Sequence, residues 1–268
     1  MTPWGDFTSS LQRLQLVIYI RTLSEQQEKK LTLSSNLYKA FDHAASNLES
    51  ARVLVYPMIE KLQKQIHQNR VQENKYYDQL QEGKPVSKEA VESYQKKLHL
   101  VEELKKYQDA DDSLVALRSL VEKDKQIFNG IGQSLMSFEP FDASWKEFQT
   151  MIDLNQNVFS FKNDILSFKP DAGNLAKIQE IGKKIVQEID LKLNSLEKQK
   201  EIIEGKFPSV ENSNRLQGIK DEILAYKKLK GRILSGLEES NQIHKQKQEL
   251  FSKFQEQIKN LGMKTTNG

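Results

Sequence analysis

The amino-acid sequence predicts an all-α protein, an elongated coiled coil or helical bundle of long, kinked helices. Three observations carry that expectation. Lys, Glu, Gln and Leu dominate a chain of 268 residues that is 29% charged and holds only 12 glycines and 6 prolines, the profile of long helices. Apolar residues recur at steps of three and four, the spacing of one helical face, which argues against disorder in a chain this polar. No alternating apolar–polar run is flanked by hairpin turn residues, so strands are not expected.

The first element is expected over 1–82 as one long coiled-coil helix, beginning near Asp6 or Thr8. Its N-terminal part, from Leu11 through Leu14, Val17 and Ile20 to Leu23, is apolar on nearly every face. Such a helix end is buried among several neighbours, or it is a docking site. Trp4 and Phe7 are expected to fold back and close the end of the bundle. From Leu37 the seam is regular: Phe41, Ala44, Leu48, Ala51, Val55, Met58 and Leu62 follow in alternating steps of four and three. Pro57 removes an amide donor inside this seam. The register passes through it unshifted, so a kinked but continuous helix is expected, about 110 Å long at 1.5 Å per residue.

The break Gly83-Lys84-Pro85-Val86-Ser87 opens a second helical segment, 83–136, with Ser87 as N-cap and Glu89 in the first turn. Val91, Tyr94, Leu98 and Val101 form its first stripe, and Leu114, Leu117 and Val121 continue the pattern. Asp111-Asp112-Ser113 reads as a cap or interruption, and Asn129-Gly130-Ile131-Gly132 as a helix end or hinge. A short aromatic-rich helix is expected over 137–169, with Ser144 and Glu147 as a capping box and Trp145, Phe148, Ile152, Phe159 and Leu166 along one face. The fourth segment, 170–208, holds a helix from about Leu175 to Glu204. The fifth, 209–268, is a C-terminal coiled-coil helix starting near Asn212 or Asn214, with a frayed tail from Lys264. The five segments read as one elongated unit.

The charge balance bounds the partners. Forty basic against 37 acidic side chains leave a formal net charge of +3, and the two signs are interleaved. A protein built to neutralise phosphates carries a larger or more segregated excess, so nucleic acid is not an expected partner. There are no cysteines and 4 histidines. Thiolate chemistry is excluded, and His43, His67, His99 and His244 match no metal-ligand spacing. The Gly130–Gly132 pair has no preceding strand and no following Gly-Lys-Ser/Thr, so it is no phosphate loop. No enzymatic activity and no cofactor or metal is expected. The N-terminus shows no secretory signal, and the apolar run from Leu14 to Ile20 is far short of the roughly 20 residues that cross a bilayer. An intracellular protein, cytoplasmic or nuclear, is the resulting expectation.

With no chemical site in view, the seams themselves become the candidate site. The expected partner-binding residues are Leu216, Ile219, Ile223, Ile233, Leu237, Phe251, Phe254 and Ile258 on the last helix. On the first they are Leu37, Phe41, Leu48, Val55 and Leu62. Lys230, Ser240, His244 and Lys247 interrupt the last seam, and polar groups at such positions specify register or partner choice. The function expected is a non-enzymatic coiled-coil scaffold or adaptor in a larger assembly of kinetochore, spindle, tethering or autophagy type. It would join protein partners through coiled coils, as a homo- or hetero-oligomer. The layout also resembles a BAR-type dimer in architecture, without a family motif. That second reading implies contact with anionic lipid through paired lysines such as Lys96-Lys97 and Lys227-Lys228.

Overall fold

The structure, a computed structural model, describes residues 39–83, 85–136, 142–154, 159–169, 172–206 and 208–262. The expectations placed on residues 1–38, Leu37 among them, and on the tail beyond Gly262 lie outside the described residues. The described residues are all-α but for one small hairpin. Its elements are α1 (Lys39–Ala51), a 3-10 turn (Arg52–Leu54), α2 (Tyr56–Gln81), α3 (Lys88–Met136), α4 (Asp142–Leu154), β1 (Phe159–Lys162), β2 (Ile165–Phe168), α5 (Ala172–Glu204) and α6 (Val210–Asn260).

Caps set the helix starts. At α3 the Ser87 hydroxyl accepts the Ala90 N–H at 3.2 Å, and at α6 Ser209 accepts the Asn212 N–H at 3.0 Å, each satisfying an amide that the first turn leaves unpaired. At Pro57 the expected continuous helix gives way to a break and a restart. The 3-10 turn intervenes, Val55 caps α2, and Pro57 falls in its first turn. There a missing N–H costs nothing, because that amide has no intrahelical acceptor. Conversely, α3 runs unbroken through Asp111–Ser113 and through Asn129–Gly132, where an interruption and a hinge were expected.

The segment 137–169 is a second correction. It is not one helix: α4 covers Asp142–Leu154, and Phe159–Phe168 forms an antiparallel hairpin in the register Phe159↔Phe168 and Phe161↔Leu166. Its two-residue turn is Asn163-Asp164, both at positive φ, 52° and 60°. Asn and Asp tolerate this left-handed conformation, which a type I′ hairpin turn demands. Ser144 is no N-cap either. It is the third residue of α4, fully buried, and its hydroxyl bonds the Glu188 carboxylate of α5.

The chain divides into two compact units. One comprises Phe128–Leu154 and Glu180–Leu234. Here α5 and α6 run antiparallel, since partner numbers fall as α5 rises: Asp190–Lys230, Lys192–Glu222, Glu197–Lys227 and Glu204–Lys220. Phe148 of α4 meets Phe128 of α3 at 6.4 Å between ring centroids, and both are fully buried.

The other unit comprises Phe41–Ile127, Asn155–Gln179 and Ser235–Gly268. In it α1 and α2 follow one another along α3, antiparallel to it, as the pairs Asp42–Lys125, Glu49–Arg118, Arg52–Asp111 and Glu73–Lys97 show. On α3 the C-terminal half of α6 also lies antiparallel, with Ser240 and Lys247 on Asp124 and Gln257 on Ser113. The hairpin closes this core. Phe159 and Phe168 stack at 4.7 Å and pack on Phe251 of α6 at 6.0 and 5.3 Å, while Asn47 of α1 donates to the Phe159 carbonyl at 2.9 Å.

Candidate docking face on the α2–α3 arm

The structure places most of the expected partner-binding residues inside the chain's own core. Phe41, Leu48, Val55, Leu62, Ile219, Ile223, Ile233, Leu237, Phe251, Phe254 and Ile258 are all buried, and Leu216 is half-buried. A heptad stripe announces a surface that must be covered, and here this chain's other helices cover it. Apart from Leu216, these positions are buried within this chain.

The polar breaks in the last seam have the same explanation. Lys247 and Asp124 form an ion pair at 2.7 Å with side chains only 4% and 3% exposed. The Ser240 hydroxyl donates to the other oxygen of the same carboxylate, also at 2.7 Å. Lys230 is held by Asp190 at 2.6 and 2.8 Å. Half-buried His244 sits 6.3 Å from the Phe168 ring. Burial, followed by the neighbouring Lys247 ammonium, pushes its pKa below the usual histidine value, with Asp124 pulling the other way. Ser240 and Lys247 thus select α3, and Lys230 selects α5.

An uncovered apolar surface does exist, on an element where the seam residues are polar. Gln257, three residues before the end of α6, bonds Ser113 and the Asp109 carbonyl. Upstream of about Asp109, α3 pairs with α2 as a two-helix arm. The interior of that arm is mixed. Leu62 and Leu100 are buried, but so are Asn69 and Glu73, and Lys97 reaches Glu73 at 2.7 Å. Asn69 Nδ2, Glu73 Oε1 and Ser93 Oγ are buried without a hydrogen-bond partner, each costing about 1–3 kcal/mol.

Outside this polar seam the apolar side chains face solvent. Val91, Tyr94, Leu98 and Val101 of α3 are 43–49% exposed, and Tyr77 and Leu80 of α2 and Val86 of the connecting turn are exposed beside them. Val91, Tyr94, Tyr77, Leu80 and Val86, with Glu73, Tyr76 and Ala90, line a groove of about 220 Å³. The Lys97 ammonium lies 5.5 Å from the centre of the Tyr94 ring. A second hollow, of about 660 Å³, lies further along the arm between Tyr56, Ile59 and Gln63 of α2 and Val101, Leu104 and Gln108 of α3. The stripe's 3-4-3 spacing is what a helix presents to another helix.

No protein-family model matches the chain, and no curated protein is similar to it beyond chance. The site therefore has to be read from its own chemistry. Among the described residues, no three or more His, Asp or Glu side chains converge as a metal would require, and no helix is long and apolar enough to cross a membrane.

The stripe itself was visible in the sequence. What the sequence did not show was that it stays uncovered while Phe251 and Leu48 do not. The one available signal lay on α2, where Asn69 and Glu73 occupy the positions that would have continued the seam from Leu62.

Proposed function

We propose that this chain is a non-enzymatic helix-docking scaffold, whose α2–α3 arm receives the helix of a partner as one joint of a larger assembly. A single observation carries the reading. The arm buries Asn69, Glu73 and Ser93 in its own seam and turns Val91, Tyr94, Leu98 and Val101 outward at heptad spacing. An arm meant only to pair with α2 gains from the opposite arrangement, because each large apolar side chain moved out of water contributes about 1.5–3 kcal/mol. A groove flanked by tyrosines and aliphatic residues suits an amphipathic helix bound through residues at i, i+3 and i+7.

The test compares the wild-type chain with Val91→Asp/Leu98→Asp by quantitative native co-purification. The variant should lose a defined set of proteins while its circular dichroism is unchanged, since both residues are already in water. A variant that retains every co-purifying protein removes the arm from the interface and the reading with it.

A further inference from the structure

We infer that the occupant of the arm's outer face is a second copy of this chain, α3 packing antiparallel on α3 about a two-fold axis near residue 96. The inference rests on the docking reading above and gives it a partner. A two-fold interface must be self-complementary, because every contact occurs twice. The stripe meets that condition. Its 3-4-3 spacing reads the same in both directions, so an antiparallel pair sets Val91 against Val101 and Tyr94 against Leu98, in four apolar layers.

The flanking charges agree with the same register. At 100° per residue, Lys88, Gln95 and Glu102 lie along the edge of the stripe that faces away from α2. In the antiparallel pair Lys88 meets Glu102 of the other copy, twice, and Gln95 meets itself. The opposite edge holds Ala90 and Leu104, which extend the apolar strip, and Lys97, whose charge Glu73 already pairs at 2.7 Å. Long-range repulsion does not oppose the contact. α2 carries four basic and three acidic side chains, and α3 between Lys88 and Asp109 carries five of each.

The chain upstream of Lys39 is a poorer occupant. From Lys39 to the α2 residues opposite the stripe is about 50 Å at 1.5 Å per residue. The residues between Leu23 and Lys39 span that distance only when fully extended, at about 3.3–3.6 Å each. A membrane surface is a poorer occupant too, since it calls for an excess of Lys and Arg that this balanced arm lacks.

The absence of native cysteines makes the test direct. Gln95→Cys in the full chain should give a disulfide-linked dimer on mild oxidation, while Lys96→Cys, on the opposite face of α3, should not. Sedimentation velocity should show a dimer for the wild type and a monomer for Val91→Asp/Leu98→Asp. Lys88→Glu and Glu102→Lys should each weaken dimerisation by about tenfold, since two exposed pairs become two repulsions, and the double swap should restore it. A chain monomeric at every concentration, cross-linking of the Lys96→Cys variant equal to that of Gln95→Cys, or a double swap no better than the singles overturns the inference. If the chain is monomeric and Val91→Asp/Leu98→Asp still strips co-purifying proteins, only self-pairing fails. If nothing is stripped, the docking reading falls as well.

Discussion

The Asp124–Lys247 pair offers the sharpest test of how this fold is held. Both side chains are nearly inaccessible, at 3% and 4%, and their charged atoms are 2.7 Å apart. Lys247→Met removes the ammonium with little change of volume. Asp124 then keeps only the Ser240 hydroxyl at 2.7 Å, and an uncompensated buried carboxylate remains. Breaking a buried pair from one side costs about 3–5 kcal/mol, whereas replacing both members with apolar groups is often neutral or better. Lys247→Met is therefore expected to lower the midpoint of thermal unfolding by about 10 °C, at roughly 2–4 °C per kcal/mol. Asp124→Leu/Lys247→Met should recover most of that loss. In the double variant Ser240 can turn its hydroxyl to the carbonyl one turn back. Circular dichroism on the two singles and the double gives the coupling energy directly. If the double variant loses the sum of the single losses, the charges are not coupled in a dry core, and the account of α3–α6 packing fails.

The other expectations follow from the same packing. His244 has its folded pKa held below the unfolded value of about 6.5 by burial and then by Lys247, against Asp124. Well above pH 6.5 both states are neutral and the group contributes no pH dependence. As pH falls below that value, the unfolded chain takes the proton first and stability declines. His244→Gln should flatten melting temperature against pH between about 7 and 5; an unchanged slope assigns the dependence to other groups. At the hairpin turn, Asp164→Gly should be tolerated. Asp164→Val should cost about 1–2 kcal/mol, because a β-branched residue resists φ near 60°; urea midpoints decide. Finally, Phe254→Ala should cost about 3–5 kcal/mol as a fully buried ring. Leu98→Ala should leave unfolding within about 1 kcal/mol of wild type and act on association instead. Equal losses for the two would place Leu98 in a covered core.

Periodicity made the helices legible because a helix must carry its apolar residues at 3.6 spacing to bury them. The spacing says that a face is covered and is silent about by what. Leu48, Ile233 and Phe254 look alike whether the cover is another chain or α3 and its neighbours, so the seams read as partner sites turned out to be core. Local chemistry was the second source of error. Phe159 and Leu166, seven apart, fit a helix face, and only the period-two pairs Phe159/Phe161 and Leu166/Phe168 around Asn163-Asp164 carried the hairpin. Pro57 and Gly130 were weighed as breakers. Proline in a first turn costs no hydrogen bond, and glycine within a helix costs only about 1 kcal/mol, which the burial of Phe128, Ile131 and Leu135 around it exceeds.

The arm's exposed stripe follows from where α6 stops. From Tyr107 to Leu135 the inward positions of α3 are Ala110, Leu114, Leu117, Val121, Phe128 and Ile131, all buried, with Asp124 the charged exception and neutralised by Lys247. There α3 has α1 or α6 against it, and its apolar groups point at them. Toward the tip, in steps of three and four, the same face passes Leu100, Lys97 and Ser93. Its apolar content falls just where α6 no longer reaches. The apolar groups reappear a third of a turn away as Val101, Leu98, Tyr94 and Val91. Loss of the third helix alone would call for a narrower apolar seam toward α2, not a displaced one. The displacement is costly in the isolated chain, which exposes four large side chains and leaves three polar atoms unpaired inside. A helix lying along the displaced stripe, as proposed above, would offset the exposure of its four large side chains.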